Sequence, residues 1–356
     1  MIKPELVKMK GYIPLDPVDV LGKQAGKAAA RVIKLDGNEN PYGCSPRARR
    51  AIARFPYYNY YPDPEQRELR KLLAGYTKVD AESIVPGAGS DELIDNILRL
   101  YLKPGDKVIN CSPTFGMYPF STEVCGGVVV NVPRKADFSV DVTAIKRAAG
   151  SARVIFIASP NNPTGNVTPR EDILALLGTG LVVVVDEAYY EFSGKTVSAL
   201  VGKYPNLMVL RTFSKWAGLA GLRVGYGMFP KEVAAAIMKI KQPYNINAAA
   251  QVAAVASLKD LDYIRGTIRA IISESGRLMK RLQALKWLKP YPSEANFILC
   301  HVGPGAKDVW QSLRQKGIFI RYFDNPLLRE YIRISVGKPE HTDAVIKALR
   351  EFHGVV

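Results

Sequence analysis

Across the middle of the chain, short apolar runs alternate with segments whose apolar residues recur at helical spacing. Leu181 to Val185 reads Leu-Val-Val-Val-Val, apolar without alternation, as a strand covered on both faces requires. Further strands are predicted at Lys107 to Cys111, Val154 to Ala158 and Leu207 to Leu210, and helices at Asp91 to Leu102, Arg170 to Leu177 and Lys231 to Lys241. Pro104-Gly105-Asp106 marks a turn between the first helix and the Lys107 strand. Strands that alternate with helices in this way predict an α/β fold, a mostly parallel sheet with helices on both faces.

The texture changes later. Leu258 to Leu285 reads as one long helix, weakened by Gly266 and Gly276. Short alternating strands follow at Asn296 to Val302, Ile318 to Tyr322 and Tyr331 to Val336, closed by a helix from Thr342 to Phe352. That is an α+β pattern and a second, smaller domain. The first forty residues are rich in turn formers and read as an arm. The expected division is residues 1–40 as an arm joined to the small domain, 41–257 as the large domain, and 258–356 as a linking helix and the small domain.

Composition narrows the class. With 356 residues and 47% of them apolar, the chain can bury a large core. No apolar stretch is long enough to span a bilayer. Lys3, Lys8, Lys10, Asp16 and Asp19 interrupt the first segment, so no secretory signal is read and the expected location is cytoplasmic. Four scattered cysteines without a C-x-x-C pair and three histidines without an H-x-x-x-H pair predict no metal site. The net charge of +16 is spread along the whole chain. It predicts pockets for anionic small molecules and neither a nucleic-acid nor a membrane partner.

Four motifs carry the chemistry, in order: Ser159-Pro160-Asn161-Asn162-Pro163-Thr164-Gly165, Asp186-Glu187-Ala188-Tyr189, Thr212-Phe213-Ser214-Lys215, and Arg223. The first three follow predicted strands, placing them at carboxyl ends where open α/β sheets bind ligands. Together they are the parts needed to hold pyridoxal phosphate. A lysine can bond to the aldehyde, an aspartate can face the pyridine nitrogen, and an asparagine and a tyrosine can reach the ring hydroxyl. Each has a plainer reading: an ordinary turn, a helix N-cap at Asp186, a surface lysine at 215. Arg211, Arg223 and an apolar setting would lower the pKa of Lys215 and free its amine. Gly87-Ala88-Gly89-Ser90-Asp91-Glu92 opens a helix and suits a phosphate. There the backbone and Ser90 would bind while both acids point away; a plain capped helix is the alternative.

On these residues the chain resembles the aspartate-aminotransferase-like superfamily of pyridoxal-phosphate enzymes, and within it the histidinol-phosphate aminotransferase branch. The resemblance runs from Leu35-Asp36-Gly37-Asn38-Glu39-Asn40-Pro41-Tyr42-Gly43 to Tyr331-Ile332-Arg333-Ile334-Ser335-Val336-Gly337. Tyr61-Pro62-Asp63-Pro64, Pro113-Thr114-Phe115-Gly116-Met117-Tyr118 and Pro243-Tyr244-Asn245-Ile246-Asn247 lie between in the family's order. It implies the fold-type-I architecture and pyridoxal 5'-phosphate as cofactor. Lys215 would carry the cofactor and shuttle a proton, Asp186 would pair with the pyridine nitrogen, and Asn162 and Tyr189 would bond the ring oxygen. Phe115 would stack on the ring, while Gly89, Ser90, Thr212, Ser214 and Arg223 hold its phosphate, joined by Tyr61 of a neighbouring subunit in a homodimer. Arg333 would clamp the substrate α-carboxylate, Arg321 the substrate phosphate, with Asn38 and Tyr12 of the arm also at the substrate. Ala88, Cys44 and Leu15 stand where the family often has asparagine, proline and glycine.

The implied reaction is imidazole acetol phosphate plus glutamate giving histidinol phosphate plus 2-oxoglutarate. Threonine-phosphate decarboxylation and aromatic amino-acid transamination stay open, because the same cofactor breaks whichever Cα bond stands perpendicular to its ring. A basic nucleic-acid-binding or regulatory protein is the alternative outside enzymes.

Overall fold

The computed structural model describes residue 2, residues 4–9 and residues 11–353. Its described strands, in chain order, are β1 (Ile33–Leu35), β2 (Ile84–Gly87), β3 (Lys107–Asn110), β4 (Val128–Asn131), β5 (Ala152–Ala158) and β6 (Val182–Asp186). They continue with β7 (Leu207–Thr212), β8 (Gly225–Met228), β9 (Lys289–Pro290), β10 (Phe297–His301), β11 (Ile318–Tyr322) and β12 (Tyr331–Ser335).

Seven strands form one sheet in the order β2-β8-β7-β6-β5-β3-β4. All neighbours pair in parallel except at β8, which runs antiparallel to both β2 and β7. The unbroken valine run explains why this sheet lies inside. Val183 and Val185 of β6 join one apolar cluster, and Val184 between them joins the cluster on the other face. Each fully buried side chain of that size contributes about 1.5–3 kcal/mol. Parallel β5, β6 and β7 are neighbours, so their carboxyl ends lie side by side.

The second sheet has the order β1-β11-β12-β10-β9. β1 pairs with β11 in parallel, and the remaining pairs are antiparallel. The first forty residues, expected as an arm that is part of the small domain, contribute a strand to this sheet. They hold helices Pro4–Lys8 and Val18–Gln24, and β1 is an edge strand of the second sheet.

The predicted helix from Leu258 to Leu285 is the single helix Leu261–Gln283; a separate helix, Ala248–Leu258, precedes it and was not read from the spacing. The chain breaks at Lys259-Asp260, where Asp260 adopts φ −132°, and the second helix then runs straight through Gly266 and Gly276. The closing helix starts earlier than expected, at Pro339, where the missing N–H of proline costs nothing. No helix among the described residues is long and apolar enough to cross a membrane.

Candidate active site

A cavity of about 600 Å³ opens at the carboxyl ends of β5, β6 and β7. Tyr12, Asn38, Ser90, Phe115, Asn162, Asp186, Tyr189, Thr212, Ser214, Lys215, Arg223, Arg321 and Arg333 all line it. Gly89 sits just behind, at a φ of +77° that favours glycine, and a Cβ there would stand 2.6 Å from Arg223 Nη2 and displace that guanidinium. Tyr61 is the one predicted residue the fold leaves outside. It is 81% exposed and stacks on Tyr244 at 4.3 Å, outside the lining of the cavity.

Lys215 follows β7 and is half-buried; its Nζ donates to the Gly37 carbonyl at 2.8 Å. Burial first, then Arg333 and Arg223, bring its pKa down to about 8. Arg211, expected to act on this lysine, does not. The pleat of β7 turns it to the face opposite Thr212, where it pairs with buried Glu187 at 2.8 Å and lies over the Tyr190 ring. Arg333, distant in sequence, takes that part.

Asp186 is the last residue of β6 and is buried. Its Oδ2 accepts from the Tyr118 hydroxyl at 2.7 Å and its Oδ1 from the Ala188 N–H at 3.0 Å. The next helix begins only at Tyr190, so Asp186 is not its cap. Burial raises its pKa to about 6, against the lowering effect of Tyr118 and the Ala188 amide. A buried carboxylate held by two neutral dipoles suits a cationic partner such as a protonated pyridine.

The helix Gly89–Tyr101 points its first turn at the cavity, and Ala88 before it offers no side-chain cap. The hydroxyls of Thr212 and Ser214 lie 2.9 Å apart. Glycine at 225 lets β8 close on this turn: a Cβ there would meet Ser90 N at 2.6 Å. Uncapped N–H groups, two hydroxyls and Arg223 make a phosphate cradle. The two acids of the turn divide. Glu92 folds back to accept from Ala88 N at 2.6 Å, whereas Asp91 does not point away: it lines the cavity and pairs with Arg223 at 2.8 Å. Asp91 stands in the first turn of this helix, and Arg223 reaches it from a left-handed bend (φ +53°).

The second sheet closes the cavity. Arg333 on β12 is buried, with Nη1 donating to Asn162 Oδ1 and Nη2 to the Asp36 carbonyl. Its Nε has no hydrogen-bond partner among the described residues. Arg321 on β11 stands directly across from it in the antiparallel pair. Like charges so placed repel; burial first, with Arg321 adding to it, lowers the Arg333 pKa to about 10. Neither has a carboxylate ion-pair partner among the described residues. Asn38, buried and left-handed at φ +54°, donates to Tyr189 Oη at 2.9 Å and accepts from the Ser335 hydroxyl at 2.8 Å. Burial pushes the Tyr189 phenol up to about 12. Tyr12 sits at the rim, its ring edge-on to Phe120.

Three residues escaped the sequence reading. Tyr118 stood within a segment of the family resemblance and was given no role of its own. Asp36 and Gly37 act through backbone carbonyls, which leave no side-chain signature.

The described residues fit pyridoxal phosphate: an amine of lowered pKa, a buried carboxylate without a cation, a phosphate cradle and a guanidinium with spare donors. Residues 30–351 match the sequence pattern of aminotransferase class I and II. A histidinol-phosphate aminotransferase of Dehalococcoides mccartyi is 51% identical over 351 residues, covering 96% of this chain and 98% of that protein. One from Roseiflexus castenholzii is 47% identical over 362 residues, covering 99% and 98%. Among solved structures, histidinol-phosphate aminotransferase from Sinorhizobium meliloti in complex with pyridoxal-5'-phosphate superposes with a TM-score of 0.89 at 27% identity, covering 99% and 98%.

Proposed function

Since the chain belongs to the family of class I and II aminotransferases, we propose that it transfers the amino group of glutamate to imidazole acetol phosphate. The products are histidinol phosphate and 2-oxoglutarate. It is a pyridoxal-phosphate-dependent enzyme of fold type I. Near full-length relatives of that activity support the substrate pair. The observation that carries it is the facing pair Arg321 and Arg333, two guanidiniums without carboxylate partners at the mouth of a lysine–aspartate site.

When bound, pyridoxal phosphate supplies an aldehyde that takes up amino groups and a ring that accepts electrons from the substrate Cα. Lys215 Nζ would hold the cofactor until the amino group of the donor displaces it, and the freed amine would then take the proton from the donor Cα and deliver it to the carbon being reduced. A pKa of about 8 leaves a useful fraction of free amine near neutrality. Asp186 keeps the pyridine nitrogen protonated, and Asn162 and Tyr189 orient the ring oxygen. Phe115 covers one ring face. Gly89, Ser90, Thr212, Ser214 and Arg223 anchor the phosphate.

Arg333 takes the α-carboxylate of glutamate in a planar, bidentate grip that an ammonium cannot reproduce. Arg321 serves either the glutamate side chain or the phosphate of the second substrate. Asn38 fixes Tyr189 beside them, and Tyr12 excludes water from the rim. Tyr61, displayed on the outside, supports a homodimer in which it reaches the neighbouring site. Four cysteines outside any disulfide among the described residues fit a cytoplasmic enzyme. Family membership and the lysine–aspartate pair set aside the reading as a basic binding protein.

The test is half-reaction spectroscopy. Histidinol phosphate and glutamate are each expected to convert the aldehyde absorption to that of the amine form, with phenylalanine far slower. Aminopropanol phosphate formed from threonine phosphate, with no spectral response to histidinol phosphate, would overturn the assignment in favour of the decarboxylase.

A further inference from the structure

Asp186 has an unusual set of neighbours for a carboxylate at the heart of a basic protein. Its side-chain partners are one phenol and one amide N–H. No lysine or arginine pairs with it among the described residues, and the acids nearest to it electrostatically, Asp91 and Glu187, only oppose its charge. The phenol is tightly fixed. Tyr118 is 1% exposed, lies parallel to Phe156 of β5 at 4.8 Å and 6°, and meets Phe115 edge-on at 5.6 Å. It stands in the helix Met117–Val124, three residues beyond Phe115, so one turn of chain sets both the ring cover and the donor to Asp186.

The choice of a phenol has a physical consequence. A cationic partner would neutralise Asp186 and remove its attraction for a protonated ring nitrogen. An apolar partner would leave the carboxylate short of a hydrogen bond and favour its neutral form. A phenol donates one strong bond and keeps its proton, since burial and the adjacent carboxylate both oppose its ionisation. The acid is then anchored while its negative charge is undiminished.

We propose that Tyr118 is a positioning residue for the cofactor, holding Asp186 as a carboxylate aimed into the site without neutralising it. The proposal rests on the cofactor reading given above. It predicts that Tyr118 matters for binding only through the pyridine nitrogen.

The experiment compares dissociation constants of the apoprotein for pyridoxal 5'-phosphate and for its 1-deaza analogue, which has a ring carbon in place of that nitrogen. The wild-type protein should prefer pyridoxal phosphate. Tyr118→Phe, which keeps the ring and its stacking, should lose roughly tenfold in affinity for pyridoxal phosphate, the effect of one hydrogen bond to a charged group, and bind the analogue unchanged. An equal loss for both compounds would make Tyr118 merely structural and overturn the proposal, as would no loss for either. Incorporating 3-fluorotyrosine at position 118 retains shape and strengthens the donor, so it should widen the preference; an unaltered ratio counts against the role even should Tyr118→Phe fold poorly. A wild-type protein with no preference between the two compounds would sink the pairing of Asp186 with the nitrogen as well.

Discussion

Two glutamates beneath the site share one guanidinium, and the sharing is unequal. Arg211 spends its hydrogen bonds on Glu187, Thr196 and Ser198. Glu191 receives one bond, from the Tyr76 hydroxyl at 3.2 Å, and its Oε2 has no partner. Burial raises its pKa from 4.5 to about 8. Between those values the folded protein holds a proton that the unfolded chain has released. Stability from this group is therefore present at low pH and lost as pH rises toward 8. Replacing Glu191 with Gln should remove that slope. Urea melts from pH 5 to 8 should show the variant gaining on the wild type by about 1 kcal/mol per pH unit; parallel profiles would show that Glu191 is ionised throughout.

At the scale of elements, the site depends on how closely β8 approaches the helix Gly89–Tyr101. A methyl group at position 225 would collide with Ser90 N and with the Arg211 carbonyl, at 2.6 and 2.9 Å. Gly225→Ala should push the first helical turn off the cradle. We expect pyridoxal-phosphate affinity to fall about tenfold or more and stability by about 1–3 kcal/mol, read by cofactor titration and thermal melts. Unchanged affinity with lowered stability would separate the turn from phosphate binding.

Four strands of the large sheet, β3, β5, β6 and β7, were legible, the clearest because a doubly covered strand must be apolar at every position, as Leu181 to Val185 is; β2, β4 and β8 were not read. The four motifs were legible because their residue types are scarce at strand ends. Arg211 could have been read better: standing between Leu210 and Thr212, it had to face away from the threonine that lines the site. The helix Ala248–Leu258 was hidden, for its alanines and valines are apolar nearly all round and mark no single face. The facing of Arg321 and Arg333 follows from strand register, which no local pattern in either segment encodes.

The molecule as a whole carries +16, and its exposed tyrosines cluster at Tyr57, Tyr58, Tyr60 and Tyr61. If Tyr61 serves the neighbouring site, defects should complement between subunits. A hybrid of one Lys215→Ala protomer and one Tyr61→Ala protomer, isolated by separate tags, has one site with its own lysine and the tyrosine of the other chain. It should recover up to roughly half the wild-type activity, since one of the two sites is complete. A hybrid no more active than the Tyr61→Ala homodimer would place Tyr61 in its own protomer's chemistry or in none.

The pairing of β1 with β11 also constrains how the chain is made. Asp36 and Gly37, whose carbonyls hold Arg333 and Lys215, follow directly on a strand whose partner is Ile318–Tyr322. During synthesis, the segment that emerges among the first must wait for one that emerges among the last. Lys215 thus acquires its anchor only after nearly the whole polypeptide has left the ribosome, and a nascent chain cut short before residue 318 would hold its amine unfixed.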